Sequence, residues 1–194
     1  MISETFRAFI AIDLPESIKS FLSEAQEALK LYGFRVKWVR SQNIHLTLKF
    51  LGDTATADTD KIAEAMTLAA KNCPIVPLSV KGVGVFPNVR RPRVIWAGLK
   101  GQIETLANLQ QTLDAHLADL GFARDTRAFK SHLTLGRVKG KIASDRMLAA
   151  IDKLKEFESE SFETHQVILF KSELRPSGAV YTKMQRIALQ GQQP

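Results

Sequence analysis

Hydrophobic positions along the chain follow two spacings, one typical of strands and one typical of helices. Segments in which apolar and β-branched residues dominate, or alternate with polar ones, predict strands. These segments are residues 6–14, 43–51, 75–86, 94–99, 131–138, 162–170 and 181–189. Segments with an apolar residue at every third or fourth position predict helices, and these are residues 15–31, 58–72, 103–120 and 144–154.

Local signals refine these bounds. Asp58 and Ser144 stand just before helical patterns and belong to the residue types that cap helices. Gly82 and Gly84 are expected to break the strand that ends at Phe86. The Pro-Asn-Val-Arg-Arg-Pro stretch at 87–92 then predicts a loop.

The second half of the chain repeats the order of elements in the first. An offset of 87 residues carries most of the strands and helices of residues 6–86 onto those of residues 93–173. We therefore predict a single bilobal domain over residues 1–194, closed by a strand at 180–189. No glycine-rich phosphate loop follows any strand, which favours an α+β fold over a doubly wound sheet. Each lobe should have a mainly antiparallel sheet and outer helices, with a pseudo-two-fold axis through a central cleft.

The strongest match between the halves is the sequence His-Leu-Thr-Leu, at 45–48 and again at 132–135. Alternate side chains of a strand share a face, so histidine and threonine point one way and the leucines point into the core. A pseudo-two-fold pairing of the lobes would bring four polar side chains around one cavity. These are His45, Thr47, His132 and Thr134.

Two imidazoles and two hydroxyls around one cavity suit a displacement at phosphorus. A neutral imidazole can activate the nucleophile, while a protonated imidazole gives its proton to the leaving oxygen. Threonine hydroxyls can bind the non-bridging oxygens of the phosphate. The residues alone do not say which histidine is the acid and which is the base. This chemistry needs neither a metal nor another cofactor.

Other site chemistries have less support in the sequence. A single His-x-Thr in a strand is usually structural, but a duplicated core need not preserve buried polar residues, whereas a duplicated active site must. A zinc site needs a third protein ligand, and no His-Glu-x-x-His or acidic cluster adjoins either motif, so no metal site is predicted. Cys73 is the only cysteine, and no Gly-x-Ser-x-Gly sequence is present. His116 and His165 are expected at the surface.

The net charge of +7 indicates an anionic partner. Segments poor in acidic residues surround both motifs and predict a basic mouth to the cleft, with a merely solvated basic rim as the alternative. Their cations are Lys30, Arg35, Lys37, Arg40, Lys49, Lys81, Arg90, Arg91, Arg93, Arg124, Arg127, Lys130, Arg137, Lys139 and Lys141. Arg137 is an odd number of positions from His132, so it reaches the site only through a bulge or a twist. The aromatic candidates for stacking on bases are Trp38, Phe50, Phe86, Trp96 and Phe129.

In these motifs the chain resembles the RNA 2′,3′-cyclic phosphodiesterases of the two-histidine phosphoesterase superfamily, first described as 2′-5′ RNA ligases. Further blocks of the resemblance are FRAFIAIDLP, WVRSQNIHLTLKFLGD, VGVFPNVRRPRVIWAGL, FKSHLTLGRVK and LFKSELRPSGAVYT. The resemblance implies metal-independent hydrolysis of a terminal 2′,3′-cyclic phosphate to a 2′-phosphate. By motif position it implies that His45 donates a proton to the 3′ oxygen and that His132 accepts one from water. It also implies that Thr47, Thr134 and Arg137 bind the phosphate.

These expectations extend to partners and location. A 2′,3′-cyclic phosphate requires a 2′-hydroxyl, so the partner should be RNA or a ribonucleotide and not DNA. Apolar runs fall far short of the roughly 18 residues that span a bilayer, and no signal peptide is evident, so we expect a cytoplasmic monomer without a membrane partner. Two alternatives stay open: 2′-5′ ligation as the reverse or a side activity, and an RNA-binding module without catalysis.

Overall fold

The computed structural model describes residues 4–176 and 178–191, and their strands and helices confirm the α+β prediction. The strands are β1 (Thr5–Asp13), β2 (Val36–Trp38), β3 (His45–Ala55), β4 (Val76–Phe86), β5 (Val94–Gly101), β6 (His132–Val138), β7 (Phe162–Thr164), β8 (Gln166–Arg175) and β9 (Gly178–Ala188). The helices are α1 (Glu16–Lys30), α2 (Thr59–Ala70), α3 (Ile103–Asp119) and α4 (Ser144–Lys153). None of the helices in this part of the chain is long and apolar enough to cross a membrane.

The described strands form one antiparallel sheet in the order β7-β4-β5-β6-β3-β1-β8-β9, with β2 also paired to β6. The 87-residue offset relates β1 to β5, β3 to β6 and β4 to β8. These pairs stand at mirrored positions on either side of the β3–β6 junction. The last strand of each proposed repeat joins the other half of the sheet, because β4 pairs with β5 and β8 pairs with β1. The site motifs therefore meet at the middle of the sheet.

One face of the sheet shares a single hydrophobic core with the helices. Ile10 and Leu46 from the sheet, Leu22 from α1 and Leu113 from α3 are all almost completely buried there. A second cluster consists of Phe9, Ala11, Ile168 and Phe170, with Tyr181 packed against it. Phe9 and Ala11 alternate with Ile10 and Ile12 along β1, so this smaller cluster lies on the opposite face of the sheet.

The glycines of β4 do not break the strand, so that prediction is wrong. The strand runs without interruption from Val76 to Phe86. Gly82 has a φ of +66° and lies where the β4–β5 register shifts between Val80 and Val83, which is a place where glycine is favoured. A Cβ at Gly84 would lie 2.3 Å from the Trp96 ring, so glycine makes room for the indole.

Three further local predictions need correction. Asp58 precedes α2, but its carboxylate caps no backbone N–H and lies 3.2 Å from Lys61 Nζ instead. Ser144 is the first residue of α4 and not its cap. The strand predicted over 162–170 is two strands, because the chain leaves the pairing of β7 at His165 before β8 begins. The short strand β2 has no counterpart among the predicted elements, since three residues are too few for a spacing pattern.

Candidate active site

The two His-Leu-Thr-Leu motifs meet at one residue pair. Leu46 of β3 lies opposite Leu133 of β6 in the antiparallel pairing that joins the two halves of the sheet. Both leucines are buried in the main core, at 1% and 0% exposure. Their neighbours in each strand therefore point to the opposite face, where His45, Thr47, His132 and Thr134 are all half-buried. In antiparallel register with this pair, His45 and His132 are diagonal neighbours, which a regular ladder places about 7–8 Å apart.

Both imidazoles are held by the same type of hydrogen bond. Nδ1 of His45 lies 2.7 Å from the carbonyl oxygen of Asn43, and Nδ1 of His132 lies 2.6 Å from the carbonyl oxygen of Lys130. A carbonyl oxygen only accepts, so each Nδ1 is the donor and carries a proton in the neutral ring as well as in the charged one. Nε2 is therefore the nitrogen that gains and loses a proton in both rings.

Aromatic side chains surround His45. Its ring centroid is 4.7 Å from that of Phe9 and 5.4 Å from that of Tyr181, with Phe170 at 6.2 Å. Burial lowers the pKa of His45 below its usual value, and the charges of His132 and Lys19 lower it further. The Asn43 carbonyl and the Asp13 carboxylate act in the opposite direction without reversing the shift. In the free protein, the neutral form of His45 is therefore favoured at neutral pH.

Asp13 pairs with His45 between β1 and β3, and its carboxylate acts on the pKa of the His45 ring. Its side chain lies 2.9 Å from Lys19 Nζ and is also hydrogen-bonded by Lys183. Burial acts to raise the pKa of Asp13, but the hydrogen bonds from Lys183 and Lys19 outweigh it and hold the pKa below its usual value. The two lysines therefore keep Asp13 ionised on the β1 side of His45.

His132 has a more open environment. The rings of Phe86 and His132 are perpendicular with centroids 5.1 Å apart, and Lys130 Nζ lies 5.9 Å from the centroid of the Phe86 ring. The hydroxyls of Thr47 and Thr134 make no hydrogen bond within residues 4–176 and 178–191. Both hydroxyls are thus available to donate to a bound ligand.

Arg137 shares the face of the two histidines because β6 contains a bulge. Trp96 of β5 pairs with Thr134, and the preceding Ile95 pairs with Gly136, so Leu135 is an extra residue in β6. The extra residue shifts the alternation by one position and turns the exposed Arg137 toward the side of Thr134. Burial raises the pKa of Tyr181, while the charge of Arg137 lowers it, so Arg137 acts on a side chain that contacts His45. The bulge that the sequence required is present.

Of the remaining predicted residues, some lie away from the two motifs and others lie near them. Lys49 is 3% exposed and pairs with Asp114 and Asp125, so its charge is internal. His165 is exposed beside Glu163, and His116 lies in α3, away from both motifs in the chain. Among the stacking candidates, Phe50 is 67% exposed. Phe86 contacts both His132 and Trp96, whereas Trp38 and Phe129 pack against the main core.

Sequence reasoning missed three aromatic side chains beside His45, namely Phe9, Phe170 and Tyr181, which we call the aromatic wall. Phe9 lies on β1, whereas Phe170 and Tyr181 lie on the consecutive strands β8 and β9 near the other end of the chain, so the three rings meet only in the folded sheet. The sequence gives a signal only for Phe9 and Phe170, which alternate with core residues in their strands and so lie on the outer face, whereas the neighbours of Tyr181 are half-buried or exposed. Among the described residues, no group of three or more His, Cys, Asp or Glu side chains is arranged to hold a metal ion.

The chain is similar to known proteins in both sequence and fold. Two successive segments, residues 12–96 and 98–181, match the model of the LigT-like phosphoesterase family. A Methanothermobacter thermautotrophicus protein named RNA 2′,3′-cyclic phosphodiesterase is 38% identical over 92% of this chain and 96% of its own. A crystal structure from Thermus thermophilus has a TM-score of 0.79 at 26% identity, covering 96% of this chain and 100% of that one. Escherichia coli LigT complexed with 3′-AMP has a TM-score of 0.70 at 25% identity, covering 96% and 99%.

Proposed function

The chain belongs to the LigT-like phosphoesterase family, and we propose that this hydrolase opens the 2′,3′-cyclic phosphate at the end of an RNA to a 2′-phosphate, without a metal ion. The observation that carries the proposal is the Leu46–Leu133 pair, which sets two His-x-Thr faces side by side. The name of the M. thermautotrophicus relative supports the substrate class. The nucleotide bound by E. coli LigT supports a site that accepts a ribonucleoside phosphate.

The reaction needs one base and one acid on opposite sides of phosphorus. Nε2 of His132 accepts a proton from water as the water oxygen bonds to phosphorus. The bond between phosphorus and O3′ then breaks, and Nε2–H of His45 gives its proton to O3′. The products are a free 3′-hydroxyl and a 2′-phosphate, and proton exchange with solvent restores both rings. The assignment of acid and base follows the position of each motif in the family pattern.

The backbone carbonyls give each ring a fixed orientation for these transfers. Because Nδ1 donates to Asn43 O or to Lys130 O throughout, Nε2 is the only ring nitrogen that exchanges a proton. In the neutral form this leaves a lone pair on Nε2 of His132, as a base requires. The orientation is thus set before substrate arrives, which reduces the entropic cost of reaching the transition state.

The phosphate itself would be held by neutral and charged donors. The hydroxyls of Thr47 and Thr134 can each donate to a non-bridging oxygen, and Arg137 can approach along β6. A cyclic phosphodiester carries one negative charge, so these donors and one imidazolium are sufficient partners. Hydrogen bonds of this kind stabilise charge that builds up on the oxygens in the transition state.

Because the pKa of His45 is lowered, the protonation of this proposed acid depends on whether substrate is bound. In the free protein, burial favours its neutral form. A bound phosphodiester places a negative charge beside the ring and favours the imidazolium. We infer that His45 takes up its proton together with the substrate, so that the acid is charged in the complex that reacts.

The decisive experiment incubates the protein with 2′,3′-cyclic AMP in the presence of EDTA and identifies the product by phosphorus NMR. Formation of 2′-AMP supports the proposal, and kcat/KM should be bell-shaped in pH, since one imidazole must be charged and one neutral. Formation of 3′-AMP would mean that the bond between phosphorus and O2′ breaks instead, and it would contradict the proposal. Activity that EDTA abolishes and a divalent ion restores would refute metal independence.

A further inference from the structure

A basic groove lies at the far end of β6 from His132. It is a cavity of about 750 Å³ between the loop that joins β4 to β5 and the segment that follows β6. Its lining residues are Arg90, Arg91, Pro92, Arg93, Val138, Lys139, Gly140, Lys141 and Ile142. The stem of Arg35 borders the groove, because a Cβ on Gly140 would lie 3.4 Å from Arg35 Cβ.

The groove collects positive charge without counterions. The five cations of its lining are all exposed, and no acidic residue lines it. None of the five forms an ion pair within the described residues. Other surface lysines are paired: Lys81 and Lys100, for example, both lie 2.8 Å from Glu158. Concentrated like charges raise the energy of the folded protein unless an anion neutralises them, so the groove is built for an anionic ligand.

Cations also continue from the groove toward the active site. Lys37 of β2 lies directly opposite Arg137 of β6, and directly opposed residues of an antiparallel pair share a face. Two like charges in this position are destabilising by themselves. Both are exposed, and neither forms an ion pair in residues 4–176 or 178–191. This pair stands between His132 and the groove along β6.

Backbone hydrogen bonds fix the groove relative to the site. The N–H of Arg93 donates to the carbonyl of Phe86, whose ring contacts His132, and the N–H of Val138 donates to the carbonyl of Arg93. The groove is therefore rigidly attached to the strands that carry the catalytic face. With one residue taken up by the bulge, the strand rises about 17 Å from His132 to Val138, which a single nucleotide held at His132 does not span.

We propose that the basic groove binds the backbone of a single-stranded RNA whose cyclic phosphate end lies between the two histidines. This inference rests on the proposed function and deepens it, because it assigns the surface that holds the RNA chain beyond its cyclic phosphate end. The groove contacts phosphates and so contributes affinity without reading sequence. The bases would stack on exposed rings such as Phe50, whose ring centroid lies 6.1 Å from that of Phe9.

The test compares two substrates in two matched variants. The groove variant is Arg90→Glu/Arg91→Glu/Lys139→Glu. The control variant, Lys71→Glu/Lys153→Glu/Lys155→Glu, has the same net charge but alters exposed lysines outside the groove. The substrates are 2′,3′-cyclic AMP and an oligoadenylate of about 12 nucleotides with a 2′,3′-cyclic phosphate end.

The groove variant should lose about 10-fold or more in kcat/KM for the oligomer and keep its kcat/KM for cyclic AMP. The slope of log KM for the oligomer against log salt should become shallower by about 2, since each phosphate contact to a single strand contributes about 0.7. The control variant should change neither value beyond a weak, general effect of net charge. An equal loss in both variants, or no loss in the groove variant, would overturn the inference.

A binding measurement distinguishes failure of the groove inference from failure of the proposed function. Fluorescence anisotropy with the same oligomer carrying a plain 3′-hydroxyl reports on the groove without any catalysis. If the protein hydrolyses neither substrate, the proposed function fails, and weaker binding in the groove variant alone would still identify the groove as an RNA site. If hydrolysis proceeds and both variants bind the oligomer equally, only the groove inference fails.

Discussion

The ring of Phe9 stacks on the imidazole of His45, with centroids 4.7 Å apart and planes inclined by 29°. Phe9 is itself 3% exposed and stacks on Phe170 at 5.0 Å, and the Phe170 ring also lies 6.2 Å from His45. This stack keeps water from one side of His45. It is therefore part of the burial that lowers the pKa of His45.

Replacing Phe9 by leucine should raise the pKa of His45 toward the unperturbed value of about 6.5. The smaller side chain lets water approach the imidazole, and hydration favours its charged form. A proton NMR titration of the ring resonances measures the pKa directly. Phe86→Leu is the matched control, because Phe86 contacts His132 rather than His45. If Phe9→Leu and wild type titrate at the same pH, the aromatic wall is not what lowers the pKa.

Each site histidine should be necessary for turnover. His45→Ala and His132→Ala should each lower kcat by about 100-fold or more, the usual contribution of a general acid or base. His165→Ala is the control, since that side chain is 59% exposed beside Glu163 and lies outside the site. Steady-state kinetics with 2′,3′-cyclic AMP give the values. A large loss in only one of the two variants would contradict a paired acid and base.

An anion in the site should raise the pKa of His45. Sulfate is a suitable probe because it does not titrate near neutral pH, and its charge stabilises an adjacent imidazolium. The NMR titration of His45 should therefore move to higher pH in sulfate than in chloride of the same ionic strength. Arg137→Gln should weaken the sulfate effect without moving the titration in chloride. A titration that is the same in both salts would count against proton uptake with substrate.

The elements and the paired motifs are predictable from the sequence because they depend on local spacing. Alternation in residues 45–48 and 132–135 is enough to separate the buried leucines from the half-buried histidines and threonines. The fold class follows from the order of strands and helices. The division of the domain into two repeats stays a prediction, which the mirrored strand order and the two family-model matches support.

The surroundings of the site depend on contacts that local spacing does not encode. Tyr181 reaches His45 only because β9 lies beside β8 and β8 beside β1. Gly84 suggests a strand break until the Trp96 ring is placed over it. Arg137 turns toward the site through a bulge that is visible only in the pairing with β5. Each of these is a property of strand neighbours rather than of sequence neighbours.

Lys49 is the clearest case of a charge whose role differs between sequence and structure. It follows the first motif closely and suggests an anion-binding cation, but Nζ lies 2.7 Å from the Ala123 carbonyl and pairs with Asp114 and Asp125. Lys49→Met should therefore lower the free energy of unfolding by about 3 kcal/mol, because it leaves carboxylates without their buried partner. Urea denaturation measures this, and kcat of the folded variant should stay close to that of wild type. Lys71→Met, at an exposed position outside the groove, should leave stability unchanged. A Lys49→Met protein that keeps its stability and loses its activity would indicate that Lys49 acts in the active site.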